Sequence, residues 1–162
     1  MSKLPLVMVI LLAAGCQPSA EPIQVRTPDE MQADVEALRA RWQELANADD
    51  FAGVAALYTT DAYYVDQYGG VHEGQAAISG YFEQSLPLSA AYDIMIDGSV
   101  TGDGMVASYG TWSATLTGPG GEMPSSGRWQ TVGLYEPDGT LKLRLHFAMV
   151  PAPAPPAPTP AK

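Results

Sequence analysis

The segment "ALYTTDAYYVDQYGG", residues Ala56 to Gly70, joins an apolar helical stretch to a strand and a glycine turn. After its two threonines the hydrophobic period changes to two, which predicts a strand from Ala62 to Tyr68. Gly69 and Gly70 then predict a turn. One carboxylate, Asp66, lies among the aromatic residues of this strand. This unusual setting makes Asp66 the first candidate functional residue.

Two predicted helices precede this segment and one follows it. Thr27, Pro28 and Glu30 are typical of a helix N-terminus with a capping box, and the apolar stripe that follows them consists of Met31, Val35, Leu38, Trp42 and Leu45. The segment "NADD" ends this helix, and Asp49 or Asp50 is expected to cap a short second helix, "FAGVAALY". A third helix, "QAAISGYFEQSL", follows Gly74 and is stopped by Pro87.

The rest of the domain is predicted to consist of strands and turns. The expected strands cover residues 91–100, 105–116, 127–136 and 141–150, and the segment 117–127, "TGPGGEMPSSG", is expected to be a loop. Early helices followed by adjacent antiparallel strands predict an α+β domain over residues 27–150. Its three helices are expected to pack on one face of a curved antiparallel sheet.

The last predicted strand alternates between apolar and polar residues. One face carries Leu141, Leu143, Leu145, Phe147 and Met149, and the other carries Lys142, Arg144, His146 and Ala148. The polar face of an antiparallel strand usually faces solvent. In a strongly curved sheet closed by helices, it can line an internal cavity instead, so the strand pattern leaves both arrangements open.

The beginning of the chain resembles a bacterial lipoprotein signal. Residues 1–15 contain Lys3 and an apolar run too short to span a bilayer, and they directly precede Cys16, the only cysteine. The resemblance implies that Cys16 is lipidated and anchors the protein in the bacterial envelope. Gln17 replaces the aspartate of an inner-membrane retention signal, which favours the outer membrane facing the periplasm, or the cell surface. The alternative is an ordinary cleaved signal in which Cys16 is incidental.

Two further segments flank the domain. Residues 16–26 are expected to be a polar leader. Residues 151–162, "PAPAPPAPTPAK", are expected to be a solvated tail rich in proline and alanine, without fixed tertiary contacts.

The charge of the chain argues against a nucleic-acid partner. The formal net charge is −10, and removing residues 1–15 would take away one of the 8 basic residues and none of the 18 acidic ones, which leaves −11. Such a chain is repelled by nucleic acids and anionic headgroups. The sequence has no phosphate-binding glycine motif, and its 2 histidines lie far apart. We therefore expect no cofactor and no metal site.

Residues 39–82, "RARWQELANADDFAGVAALYTTDAYYVDQYGGVHEGQAAISGYF", resemble the opening of nuclear transport factor 2-like domains, the superfamily of SnoaL-like proteins and ketosteroid isomerases. The later strands, with "GRWQTVGLYEPDG", resemble its second half. The resemblance implies a cone-shaped α+β fold with a deep pocket between helices and sheet. It also implies that Arg144 and His146 face the pocket, and it makes a homodimer through the outer sheet face an expectation.

The resemblance implies a role for Asp66 as well. Asp66 stands eight residues after Tyr58, where ketosteroid isomerases carry the aspartate that moves a proton between carbons. On an apolar pocket wall, its pKa would rise and it could act as a general base. The isomerases' oxyanion donors and their supporting tyrosine correspond to Trp42, Thr131 and Phe82, so steroid isomerase activity is not expected.

The same matching defines the remaining candidates. Asp66 and His146 are the catalytic candidates, and the expected ligand-binding residues are Trp42, Tyr64, Phe82, Trp112, Trp129, Thr131 and Arg144. Asp66 and Arg144 could instead form a structural ion pair, and His72 is expected to be a surface loop residue.

Two functions follow as hypotheses. The first is a domain that binds a small, partly apolar ligand, or a partner, without turnover. The second is an isomerase, dehydratase or hydrolase that uses Asp66 as the base, His146 as an acid or proton shuttle and Arg144 as an anion clamp.

Overall fold

A computed structural model describes residues 26–102 and 104–151 of the chain. The helices are α1 (Pro28–Asn47), α2 (Phe51–Ala56) and α3 (Gln75–Ser85), and a short 3-10 turn, Leu86–Leu88, follows α3. The strands are β1 (Tyr58–Val65), β2 (Val71–Glu73), β3 (Ser89–Gly102), β4 (Met105–Gly118), β5 (Gly121–Tyr135) and β6 (Leu141–Met149). The predicted signal, Cys16, the leader up to residue 25 and the tail from residue 152 lie outside the described residues.

The strands form one six-stranded sheet in the order β2-β1-β6-β5-β4-β3. All neighbouring strands are antiparallel except β1 and β6, which are parallel. The helices pack on the face of this curved sheet, and the predicted α+β class is confirmed. Within the described part of the chain, no helix combines the length and the apolarity needed to cross a membrane.

The helix termini follow the sequence signals. The Thr27 side chain accepts a hydrogen bond from the Glu30 backbone N–H, and the Glu30 side chain accepts one from the Thr27 backbone N–H, so the capping box is formed. Asp50, rather than Asp49, caps α2 through a 2.8 Å hydrogen bond from the Gly53 backbone N–H. Buried residues from all three helices and the sheet form the main core, in which Val54, Tyr58, Ile78 and Phe82 are fully buried.

Two strand predictions differ from the structure. The strand expected at Ala62–Tyr68 covers Tyr58–Val65, because the residues after Asp66 form a turn held by the Asp66 side chain. The expected loop at residues 117–127 is largely strand, since β4 and β5 pair as far as Gly118 and Gly121. Most side chains at this end of β5 are exposed, and apolar and polar residues do not alternate there. The sequence therefore lacks the period-two pattern that predicts a strand.

The alternation predicted for β6 is interrupted by a bulge. Val132 pairs with Leu145 and Gly133 pairs with Leu143, so Arg144 is an extra residue on β6. The inner face of β6 therefore carries Leu141, Leu143, His146 and Ala148. The prediction that one uninterrupted face carries all the leucines is wrong, and so is the prediction that Arg144 and His146 share a face.

Candidate functional site

A cavity of about 120 Å³ lies between the helices and the inner face of the sheet. At one end its lining residues are buried and apolar, and they include Val35, Val106 and Leu141. At the other end Gln67, Tyr81, Ser89, Leu116 and Ala148 line it and are half-buried. This second end is the mouth of the cavity. Of the residues proposed from sequence, the cavity is lined by Trp42, Tyr64, Trp112, Trp129, Thr131 and His146.

Two tryptophans on the sheet lie across glycines of neighbouring strands. Trp129 is paired with Gly110, and Trp112 is paired with Gly127. A Cβ at Gly110 would collide with the Trp129 ring, and one at Gly127 would collide with the Trp112 ring. The missing side chains thus let both indoles pack closely against the sheet. Trp129 Nε1 donates to the Thr111 carbonyl at 3.1 Å, whereas Trp112 Nε1 is buried with no partner among the described residues.

Four polar side chains cross the inner face of the sheet side by side. Register pairs Ser108 with Thr131, Thr131 with His146, and His146 with Tyr64, on strands β4, β5, β6 and β1. All four residues are at least nine-tenths buried and line the cavity. We call Ser108, Thr131, His146 and Tyr64 the polar row. It lies between apolar rows that contain Val106 and Leu143 on one side and Trp129 and Ala148 on the other.

His146 is held by a relay of two hydrogen bonds. Trp42 Nε1 donates to Tyr58 Oη at 3.2 Å, and Tyr58 Oη lies 2.6 Å from His146 Nδ1. Indole nitrogen can only donate, so Tyr58 accepts from Trp42. Among the described residues, His146 Nδ1 is then the one acceptor within reach of the fully buried Tyr58 hydroxyl proton, so Tyr58 donates to Nδ1. This arrangement places the imidazole proton on Nε2. No described residue forms a hydrogen bond with Nε2, and His146 lines the cavity, so the cavity receives an uncharged N–H donor.

Burial keeps the site uncharged. Removal from water lowers the pKa of His146 from 6.5 to about 3, because the imidazolium form is the one that loses hydration. The same effect raises the pKa of Tyr58 and that of Tyr64. His146 is therefore neutral and both phenols stay protonated near neutral pH.

Asp66 is not on the cavity surface. Its Oδ1 accepts hydrogen bonds from the backbone N–H groups of Tyr68 (2.8 Å) and Gly70 (2.9 Å), and its Oδ2 lies 2.9 Å from His72 Nε2. A Cβ at Gly70 would collide with the carboxylate, and Gly69 has a φ of 85°, which explains the glycine pair. Asp66 thus closes the turn between β1 and β2.

The pKa of Asp66 moves in the direction opposite to that expected. Burial disfavours the carboxylate, but the hydrogen bonds from His72 and from the Tyr68 and Gly70 backbone outweigh burial and lower the pKa. The expectation of a raised pKa is wrong, because the sequence does not show that backbone N–H groups converge on this carboxylate. A carboxylate in this state is a weak base.

His72 is half-buried rather than a free surface residue. Its ring lies 4.1 Å from that of Tyr81, measured between ring centroids. Tyr81 lines the cavity, and neither His72 nor Asp66 does. Asp66 and His72 therefore lie outside the cavity, behind Tyr81, and support its ring at the mouth.

Arg144 and Phe82 also lie away from the cavity surface. Arg144 Nη2 is 3.1 Å from Asp61 Oδ2, Nη1 donates to the Asp61 carbonyl oxygen, and the guanidinium lies over the Tyr63 ring. The bulge in β6 directs Arg144 to this outer position, so it neither pairs with Asp66 nor binds an anion in the cavity. Phe82 is fully buried behind Trp42 and Tyr64, with ring centroids 6.2 and 5.0 Å away.

The charged groups near the cavity are few. Among the described residues, no Asp or Glu lines it, and Arg39 is its one charged lining residue. Arg39 Nη1 donates to the Ile94 carbonyl at 3.1 Å and to Gln43 Oε1 at 3.3 Å. No group of three or more potential metal ligands occurs in residues 26–102 and 104–151.

Sequence reasoning missed two residues of the site. They are Tyr58, whose spacing identifies Asp66 in the sequence but which is the partner of His146 in the fold, and Ser108. A buried serine in the alternating strand "VASYGTW" was the available signal, but the strand alone does not identify its neighbours.

The fold and its enclosed cavity place the protein among the nuclear transport factor 2-like α+β domains. The sequence model of the SnoaL-like domain matches residues 23–141, so the chain belongs to the SnoaL-like domain family. A search of curated protein sequences finds no significant match.

Solved structures share this fold. A ketosteroid isomerase-like protein from Erwinia carotovora atroseptica superposes with a TM-score of 0.70 at 16% identity, covering 77% of this chain and 99% of that chain. A protein of unknown function from Mycobacterium tuberculosis gives 0.65 at 20% identity, covering 79% and 78%. A nuclear transport factor 2-like protein from Novosphingobium aromaticivorans gives 0.60 at 15%, covering 75% and 82%. At these identities the similarity concerns the fold alone.

Proposed function

We propose that this protein binds a small, largely apolar ligand in its cavity and does not turn it over. One observation carries the proposal: the cavity surface holds a buried neutral histidine and, among the described residues, no carboxylate. The aromatic and aliphatic lining supplies the driving force for an apolar ligand.

The chemistry of the lining favours binding over catalysis. A general base must reach the proton that it removes and must have a pKa near the working pH. His146 Nδ1 is occupied by Tyr58, and a pKa of about 3 makes the imidazole a poor proton acceptor at neutral pH. Asp66 is the other candidate base, and its carboxylate is bound within a turn outside the cavity. The cavity can donate hydrogen bonds but lacks an effective base.

The size of the cavity limits the ligand. An engineered apolar cavity of about 150 Å³ in another protein binds benzene. A cavity of about 120 Å³ therefore suits a molecule of about one ring. The mouth, lined by half-buried residues, can accommodate a substituent on that ring.

The setting of the protein is also proposed. Lipidation of Cys16 would hold the domain on the bacterial envelope, through two or more acyl chains. A second copy of the chain is the proposed partner of the outer sheet face, where Val65, Val132, Leu145 and Phe147 are half-buried and Tyr109 is 44% exposed. Register places these residues next to one another, so they form one patch.

A binding experiment with a cavity-filling variant tests the function. Toluene and indole are titrated against the mature chain, and the melting temperature is followed. We expect a saturable rise, because a ligand that binds only the folded state stabilises it. Ala148→Phe, at the mouth, should abolish the rise, and Met149→Phe, on the outer face of the same strand, should preserve it. The proposal fails if neither probe stabilises the protein or if Ala148→Phe binds both probes as well as the unaltered chain.

A further inference from the structure

The polar row extends across the cavity without a break. Its four residues lie on four adjacent strands, and strands are about 4.8 Å apart, so the row spans about 14 Å. On β4, β5 and β6, the residues before and after it on the inner face are apolar or glycine. A ligand seated against the sheet therefore meets one polar line between two apolar surfaces.

The polar row has hydrogen-bonding capacity that the protein leaves unused. Ser108 Oγ and Thr131 Oγ1 are 2.8 Å apart and share one hydrogen bond, so one hydroxyl proton of the pair remains available. His146 Nε2–H and Tyr64 Oη–H form no hydrogen bond with another described residue. These donors lie on residues that line the cavity. A ligand oxygen placed against the row can therefore accept a hydrogen bond from them.

The same surroundings disfavour an ion. A carboxylate or an ammonium group that enters an apolar cavity loses its hydration and needs a counter-charge. The polar row is uncharged, and the Arg39 guanidinium is held by the Ile94 carbonyl and Gln43. An uncharged ligand loses far less hydration. The carbonyl or hydroxyl oxygen of such a ligand can accept a hydrogen bond from the row.

We propose that the ligand is an uncharged molecule of about one ring whose edge carries a hydroxyl or carbonyl oxygen, and that the polar row selects it by hydrogen bonding to that oxygen. This inference rests on the proposed function, since it concerns the same cavity. It makes Ser108, Thr131, His146 and Tyr64 the residues that determine specificity.

Three probes of similar size test the inference on the full mature chain at pH 7: phenol, benzoate and toluene. Calorimetry should show phenol binding at least tenfold more tightly than toluene, and benzoate binding at least tenfold more weakly than phenol. Thr131→Val and Ser108→Ala should each reduce the ratio of phenol to toluene affinity by about fivefold. The matched control, Thr111→Val, changes a threonine on the outer face of β4 and should leave the ratio unchanged.

The outcomes separate the two proposals. If toluene binds as tightly as phenol, or benzoate binds most tightly, the polar row does not select the ligand, although the cavity still binds. If none of the three probes binds, both proposals fail. Melting temperatures of the variants verify that they are folded, and the two row variants are independent of each other. An unchanged ratio in both also overturns the inference.

Discussion

Tyr58 Oη and His146 Nδ1 lie 2.6 Å apart in the core, although 88 positions separate them in the chain. The two rings are stacked at 12°, with centroids 6.0 Å apart. Tyr58 therefore orients the imidazole and leaves its proton on Nε2, the nitrogen on the cavity side. The relay joins α1, β1 and β6 at one point.

Removing the Tyr58 hydroxyl should destabilise the protein. Tyr58→Phe leaves Trp42 Nε1 and His146 Nδ1 buried without partners, and we expect the free energy of unfolding to fall by about 2–3 kcal/mol. Urea denaturation measures the change. Tyr63→Phe is the control, since its hydroxyl bonds Glu73 at the surface, and a loss within about 0.5 kcal/mol is expected there. Equal losses in the two variants would contradict the buried relay.

His146 should make stability depend on pH. Its pKa is lowered from 6.5 to about 3 in the folded state, so below pH 6.5 the unfolded chain binds a proton that the folded chain does not. The stabilisation is complete above pH 6.5 and is lost as pH falls towards 3. Between pH 7 and 5 the loss attributable to His146 is about 2 kcal/mol. His146→Gln should lack this component, so the difference between the two unfolding curves measures it. Identical pH dependence would show that His146 titrates normally.

We expect Asp66 to stabilise the turn and to have little effect on ligand affinity. Asp66→Asn removes the charge that strengthens the hydrogen bonds with His72 and the turn backbone, and we expect a loss of about 1–2 kcal/mol. Affinity for cavity ligands should change less than threefold, because Asp66 does not line the cavity. Asp61→Asn, with a side chain 71% exposed, is the control for charge. If Asp66→Asn instead abolished a measured turnover while the fold and the affinity were retained, the enzymatic hypothesis would replace ours.

The outer sheet patch should mediate self-association. Phe147→Lys places a charge in its centre, and light scattering after gel filtration should show a monomer where the unaltered chain is a dimer. Thr117→Lys adds the same charge at the exposed end of β4 and should leave the dimer intact. A monomeric unaltered chain would refute the proposed contact.

The proposed anchor depends on one atom, the sulfur of Cys16. Cys16→Ser should move the protein from the membrane fraction to the aqueous fraction of bacterial cells, because the acyl chains can no longer be attached. Immunoblotting of the fractions checks this. Membrane association that persists in the variant would be incompatible with lipidation at Cys16.

The elements that the sequence predicts best have strong local signals. The capping box at Thr27, the spacing of the α1 stripe and Pro87 after α3 depend only on nearby residues, and the structure has all three. The α+β class followed from the order of these elements. The exposed start of β5 lacks such a signal. Both faces of the strand meet solvent there, so apolar and polar residues need not alternate.

The site was harder to predict because its chemistry depends on pairing between distant segments. Because Arg144 is an extra residue, every later residue of β6 lies on the face opposite to the one that simple alternation predicts. No local sequence pattern indicates this bulge. The role of Asp66 depends on the direction of two backbone N–H groups in a turn. His146 was identified on the polar face of its strand, but its neutrality follows from Tyr58, which only the fold brings near.

The chain has 3 tryptophans, and Trp42, Trp112 and Trp129 all line the cavity. Their intrinsic fluorescence is therefore a label-free readout of the site, since no other tryptophan contributes background. A ligand that displaces water beside these indoles should shift their emission to shorter wavelength. Quenching by acrylamide should become weaker as the cavity fills. The three tryptophans would thus report binding of the proposed ligand without an added label.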